Sequence, residues 1–239
     1  MFIGRKNELE KLNNLYIENK FQFVVMYGRR RVGKTTLLKE FIKDKEHIFY
    51  VAEEYSKDRA LQDLSELIFS YLKLDGLSAF SSFKEAFEFF IPRVENKRLI
   101  IVIDEYPYLA GSDKSISSTL QNLIDHIMGN TNIFLLICGS SISFMEKEVL
   151  SYKSPLYGRR TSEMIIEPFN YFDAAEFVKN YSTIDKILTF GAVGGVPQYL
   201  RYFDDKISIK DNIIKILITK AAVLYEEPKN LLKQENYLS

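Results

Sequence analysis

Four clear runs of apolar residues and a weaker fifth, separated by longer segments of helical period, limit what this 239-residue chain can fold into more than any other feature. They are "FQFVVMY" (21–27), "HIFYVA" (47–52), "RLIIVID" (98–104), "NIFLLIC" (132–138) and, more weakly, "SEMIIE" (162–167). Each is too short for a buried helix. Near-continuous apolar character, in place of alternation, implies strands covered on both faces. Between the runs, apolar residues recur at helical spacing: Leu9, Leu12 and Tyr16; Leu37, Leu38, Phe41 and Ile42; Leu61, Leu64, Ile68, Tyr71 and Leu72; Leu120, Leu123, Ile124 and Ile127. Strands alternating with helices predict an α/β class fold with a mainly parallel, doubly wound sheet.

After Pro168 the strand-like runs give way to "YFDAAEFVKNY", "TIDKILTFGAV", "PQYLRYF" and "IKDNIIKILITKAAVLY", which predict helices. The organisation expected is a core over residues 1–170 and a helical subdomain over 171–239. The ending "EEPKNLLKQENYLS" has no turn or polar tail to close it, so a longer natural chain is expected. The aromatic-heavy "SSFKEAFEFFIPRVENK" reads as core at helical spacing.

Composition narrows the function classes. Hydrophobic residues at 46% and charged residues at 27% suit a soluble globular protein. A formal net charge of zero gives no global basic field for nucleic acid or an acidic membrane. Partners must therefore be sought at local sites. The single Cys138 lies in an apolar run, as a buried small hydrophobe would, and implies a reducing, cytoplasmic setting. No apolar run approaches the ~20 residues of a membrane span, and "MFIGRKNELE" has no signal-peptide pattern. His47 and His126 stand apart from any metal-ligand spacing.

Directly after the first run comes "YGRRRVGKTT", and a helix follows at once. Gly28 to Thr35 match G-x-x-x-x-G-K-[ST] in the strand-to-helix context this pattern requires. The glycines let successive N–H groups turn inward as an anion nest, and the helix offers its positive end to phosphates. Lys34 is expected to reach the β and γ phosphates of ATP, Thr35 to hold Mg²⁺ through its hydroxyl, and Thr36 to lie near the α phosphate. Arg29, Arg30, Arg31 and Val32 fill the variable positions of the cradle. Their side chains are expected to face solvent, a partner or the helical subdomain.

Binding does not imply hydrolysis, which needs a second Mg²⁺ carboxylate and a group to activate water. "RLIIVIDEYPYL" offers both at a strand's C-terminal end, where α/β sheets place ligands. Asp104 is expected in the Mg²⁺ shell and Glu105 as general base. Tyr106 and Pro107 are expected only to shape a turn. The run ending "ICGSS" puts Ser140 and Ser141 at another strand tip, one to read the γ phosphate or hold the water, the other to cap the next helix. Ser140 is favoured as the reader and Ser141 as the cap.

Taken in order, "FIGRKNELEKL", "YGRRRVGKTTLL", "IVIDEYPYL", "ICGSS", "YGRRT", "EPF" and "GGVPQYL" resemble the archaeal ATPase family, within the AAA-like, STAND-related branch of P-loop ATPases. The resemblance covers essentially the whole chain. It implies a sheet in the order 5-1-4-3-2 and a C-terminal helical lid. It implies further that Phe2, Ile3, Gly4 and Arg5 lie against adenine, and that Gly195 and Pro197 belong to the element with which the lid closes. Arg159, favoured over Arg160, would complete a site in cis or reach a neighbouring subunit's γ phosphate. Full-length members usually continue into a further C-terminal domain, so a continuation beyond these 239 residues is what the resemblance implies. A DNA or protein partner and homo-oligomerisation are also what the family implies.

The expected activity is Mg²⁺-dependent hydrolysis of ATP to ADP and phosphate, coupled to lid motion or partner engagement. A slow nucleotide-dependent switch or scaffold is the alternative. A kinase-like phosphoryl transferase fits less well, because Glu105 stands beside Asp104 and no acceptor site is recognisable.

Overall fold

β1 (Gln22–Tyr27), β2 (His47–Val51), β3 (Ile100–Asp104), β4 (Phe134–Gly139) and β5 (Ser162–Ile165) form one sheet in the order β2-β3-β4-β1-β5. All four pairings are parallel, as runs buried on both faces demand. The order is the one implied by the family resemblance, read from the other edge. Every residue of β1, β3 and β4 is buried, whereas the edge strands β2 and β5 are only partly so. That difference explains why "SEMIIE" is the faintest of the five runs. The computed structural model describes residues 2–236, with side chains to residue 231; the end of the C-terminal stretch read as unclosed lies outside the described residues.

Six helices accompany the first four strands: α1 (Lys6–Ile17), α2 (Lys34–Ile42), α3 (Lys57–Leu72), α4 (Phe83–Val94), α5 (Tyr106–Ser112) and α6 (Ile116–His126). Ser56 and Ser82 cap α3 and α4 by accepting from the backbone N–H of Arg59 and Glu85. The aromatic-rich "FKEAFEFF" stretch is α4, and Phe83, Phe87 and Phe90 are fully buried in the main core. Tyr106 and Pro107 do not make an irregular turn. Proline's fixed φ suits a helix start, and they open α5, with Tyr106 buried and its hydroxyl 2.7 Å from Ser117 Oγ. Burial pushes that phenol up to about 12. At the base of the sheet, Arg98 donates to the carbonyls of Leu15, Tyr16, Lys20 and Asn132, tying the end of α1 to the approaches of β3 and β4.

The described residues divide into two compact units. One holds the sheet and α1–α6, with Arg5–Arg30 and Lys34–Ile166. The other holds the segment ending at Gly4, the stretch Arg31–Gly33 and the chain from Glu167 onward. A short turn α7 (Ile142–Phe144) running into a π turn closes the first unit's helical series. The second contains α8 (Tyr171–Ala175), α9 (Thr183–Val193), α10 (Pro197–Leu200), α11 (Ile209–Ile213) and α12 (Glu227–Asn236). The long helical pattern 209–225 does not run through. Thr219 caps the π turn Ile214–Ile218, its N–H and hydroxyl both donating to the Ile214 carbonyl, and its extended backbone ends the helix there.

Candidate functional site

β1 delivers the chain into the loop at Gly28, whose φ is 155°. A Cβ there would stand 2.2 Å from the Ile166 carbonyl oxygen, so the close approach of the residues flanking β1 and β5 admits only glycine. Positive φ recurs at Arg31 (70°) and Gly33 (92°). This alternation of hand is what turns backbone N–H groups to one side as an anion nest. Val32 is fully buried and anchors the loop, and α2 begins at Lys34 with its N-terminus at the loop's end.

Lys34 is 6% exposed and donates to the carbonyls of Gly28 and Arg29, both at 2.8 Å. The ammonium is thus folded over the loop it must serve. Burial pushes Lys34 below its ordinary value, while the carboxylates of Glu105 and Asp104 pull it back up. A bound polyanion would add to that pull.

Thr35 Oγ1 donates to Asp104 Oδ2 at 2.7 Å, joining the helix start to the end of β3. Asp104 is 2% exposed and its other oxygen accepts from the Glu105 N–H at 3.0 Å. Hydroxyl and carboxylate oxygens are what Mg²⁺ takes from a protein, usually only one or two, with phosphate and water completing the shell. Among the described residues no group of three or more His, Cys, Asp or Glu could hold a metal on its own. The donor set fits a cation that arrives with phosphate oxygens.

Glu105 has φ 53° and ψ 43°, the left-handed conformation that costs a non-glycine residue of order 1–3 kcal/mol. Its carboxylate caps nothing; Oε2 accepts from Ser140 Oγ at 2.7 Å. Ser141 takes the other role, accepting from the Phe144 N–H at 3.4 Å to cap α7. The tips of β3 and β4 therefore present an Asp, a Glu and a Ser in one hydrogen-bonded chain. Cys138 lies in the same strand as Ser140's approach, fully buried beside Asp104, and burial pushes its thiol well up. It stays protonated and adds no charge.

The other residues expected at the site are placed as follows. Arg5, with φ 59° and a guanidinium 3.0 Å from Glu8, precedes α1. In the helical unit, Gly4 lies so close to Phe169 that a Cβ would meet its ring at 2.7 Å. Gly195 is tighter still: its carbonyl accepts from the Phe169 N–H at 2.7 Å, and a Cβ would fall 1.8 Å from the Phe169 oxygen. Pro197 starts α10, and its ring is 3.7 Å from where a Gly33 Cβ would be. Phe2–Gly4, the loop's middle and the "GGVP" turn thus belong to one packed unit. Arg159 is engaged elsewhere, in a bidentate pair with Asp125 of α6 at 2.7 Å through both Nε and Nη2, with Nη1 on the Pro155 and Tyr157 carbonyls. That pair holds Arg159 above its ordinary value. Arg160 pairs with Glu163, which also accepts from Tyr27.

Sequence reasoning missed two partners of the loop, Tyr199 and Glu227, which bind Arg31. It missed Asp125 as well. No local signal could have found them, because Asp125 lies 34 residues from Arg159, and Tyr199 168 residues and Glu227 still further from Arg31.

An all-parallel sheet in this order, with a glycine loop leaving β1 for a helix, defines a P-loop ATPase fold. The chain belongs to the family of ATPase domains predominantly from Archaea, whose family model matches residues 2–203. An uncharacterized protein of Methanocaldococcus jannaschii is 34% identical over 226 residues, covering 90% of this chain and 48% of that protein. The chain thus spans about half the length of that relative. An uncharacterized ATP-binding protein of Pyrococcus abyssi is 26% identical over 242 residues, 84% of this chain and 71% of that protein. In structure the chain resembles a Walker-type ATPase of Pyrococcus abyssi, with a TM-score of 0.70 at 21% identity, covering 99% of this chain and 77% of the other. It also resembles the Aeropyrum pernix ORC2 protein, solved as ADPNP–ADP complexes, at TM-score 0.59 and 14% identity over 83% of this chain and 60% of that one. These structures share the fold. Among the described residues, no helix is long and apolar enough to cross a membrane.

Proposed function

We propose that the domain binds Mg·ATP at the loop Gly28–Thr36 and hydrolyses it to ADP and phosphate. The observation that carries this reading is the 2.7 Å bond from Thr35 to buried Asp104, with Glu105 next in chain and held by Ser140. Lys34, released from the loop carbonyls, donates to the β and γ phosphates. Thr35 and Asp104 supply the protein oxygens for Mg²⁺, which when bound neutralises charge on the phosphates. Glu105 accepts a proton from the attacking water, and Ser140 Oγ orients the carboxylate for that task. The N–H groups from Gly28 through Thr36 hold the phosphates, Phe2, Ile3, Gly4 and Arg5 the base, and Pro197 belongs to a helical lid. Arg159 reaches a γ phosphate only by exchanging Asp125 for it. A cytoplasmic setting follows from the lone buried Cys138, and a DNA or protein partner and self-association follow the family reading; one similarly folded protein, Drosophila ORC, was solved bound to DNA.

Glu105→Gln tests the assignment. It is expected to retain ATP binding while phosphate release falls at least about a hundredfold, the usual scale of general-base catalysis. Unchanged release in that variant would remove Glu105 from the role. The alternative is a slower switch-like cycle. The rate of steady-state turnover separates the two, and a steep rise with protein concentration marks a site completed in trans.

A further inference from the structure

The phosphate chemistry leaves the loop's arginines unused, yet two of them are built into specific contacts. Arg30 donates to Tyr108 Oη at 2.9 Å, on an exposed face. Arg31 is held from two directions at once. It forms an ion pair with Glu227, at the first residue of α12, and donates to Tyr199 Oη at 3.4 Å. Tyr199 Oη in turn donates to the same Glu227 oxygen at 2.5 Å, and the Arg31 guanidinium carbon lies 5.7 Å from the Tyr199 ring centre.

Three features separate this triad from an ordinary surface pair, whose worth is close to zero. The Glu227 side chain is only 11% exposed. Burial opposes its ionisation, yet the hydrogen bonds from Arg31 and Tyr199 prevail and leave its carboxyl below the usual range. The Glu227 hydrogen bond likewise holds Arg31 above its own value. Second, Arg31 has φ 70°, a conformation a side-chain-bearing residue rarely adopts unless its surroundings impose it. Third, Arg31–Gly33 pack with the chain from Glu167 onward, while the loop's two ends pack with the sheet. Gly33 and Lys34 follow directly, so the backbone hand at Arg31 sets where the next N–H groups point.

We propose that Glu227 and Tyr199 are positioning residues for the nucleotide. They hold Arg31 in its left-handed conformation, keep the middle of the anion nest preformed, and make the seating of α12 a control on nucleotide release. The inference rests on the reading of Gly28–Thr36 as the nucleotide site and assigns that site its regulation. By linkage the coupling runs both ways: what loosens α12 speeds release, and bound nucleotide steadies α12.

Release of a fluorescent ADP analogue from the full chain, followed by stopped flow, tests the idea in wild type, Glu227→Gln, Arg31→Gln, their double variant, Tyr199→Phe and Lys34→Ala. Glu227→Gln and Arg31→Gln are each expected to speed release about tenfold, as loss of a partly buried charge-assisted hydrogen bond should. The double variant should release no faster than either single, and Tyr199→Phe should give a smaller acceleration. Hydrogen exchange in the first turn of α12 should slow when ADP binds to wild type and stay unchanged in Glu227→Gln; a purely structural contact would alter exchange equally with and without ADP. Wild-type release from Glu227→Gln, or fully additive effects in the double variant, overturns the proposal while loss of binding in Lys34→Ala leaves the nucleotide site intact. Undiminished binding in Lys34→Ala overturns the site itself, and the proposal with it.

Discussion

The two units of this chain are held together by different means. In the sheet unit a large apolar cluster runs from Phe23 and Val25 through Phe87, Phe90, Ile101 and Leu135 to Leu156, and Leu12, Leu37, Leu38, Phe41, Phe134 and Leu136 are fully buried besides. Among the described residues the helical unit has two small clusters, one of six buried residues around Tyr181, Tyr199 and Phe203 and one of three around Phe169. It leaves Phe172 and Ile184 at least 70% exposed. What it lacks in apolar burial it replaces with a polar hub: Asn212, 1% exposed, donates to Tyr181 Oη and the Asp204 carbonyl and accepts from the Asp204 N–H. A thin core with a directional hub resists unfolding less and moves more readily than a thick one. Asp104 and Glu105 sit on the thick core; Arg31–Gly33, the middle of the loop after β1, pack with the thin one.

Phe87→Ala sharpens the contrast most. The ring is fully buried in the large cluster, so its loss should cost about 3–5 kcal/mol in denaturant unfolding, with the helical unit's spectroscopic signature lost in the same transition. A cost under about 1 kcal/mol would mean that the sheet core is less tightly packed than its burial indicates. Next comes Asn212→Ala, which leaves the Asp204 N–H without its acceptor and removes one donor from the Tyr181 hydroxyl, itself still bonded to the Ile207 carbonyl. It should cost about 1–3 kcal/mol, read as faster amide exchange confined to the helical unit. Acceleration spread equally over β3 and β4 would break the division into a soft and a hard unit. The smallest effect is at Ser182, the cap of α9 through the Asp185 N–H at 3.2 Å, where alanine should cost about 1 kcal/mol, again local to the helical unit.

The same contrast explains what could be read in advance. β1, β3 and β4 were legible because strands buried on both faces leave unbroken apolar runs, and the anion nest because its geometry is local to eight residues. Thr35 and Asp104 were each expected to face one bound Mg²⁺, and the 2.7 Å bond between them places the two side by side at the tips of elements whose register the parallel sheet imposes. Pro107 misled, since proline opens a helix as readily as a turn. The break at Thr219 was hidden because a hydroxyl that takes its own helix's carbonyl leaves the apolar period intact. The arginines were illegible in principle. Arg31 meets Glu227 and Arg159 meets Asp125 only after the chain has folded, and a charged side chain carries no mark of which distant carboxylate will face it.

Cys138 has a practical consequence. It is the chain's only cysteine, it is fully buried, and its thiol is kept protonated beside Asp104, so it offers reagents neither access nor a thiolate. These 239 residues therefore carry no reactive thiol. One cysteine introduced on an exposed position such as Lys229 would accept a dye or spin label alone, without first editing the native sequence. The protein comes ready for distance measurements on α12 in solution, with its own thiol silent.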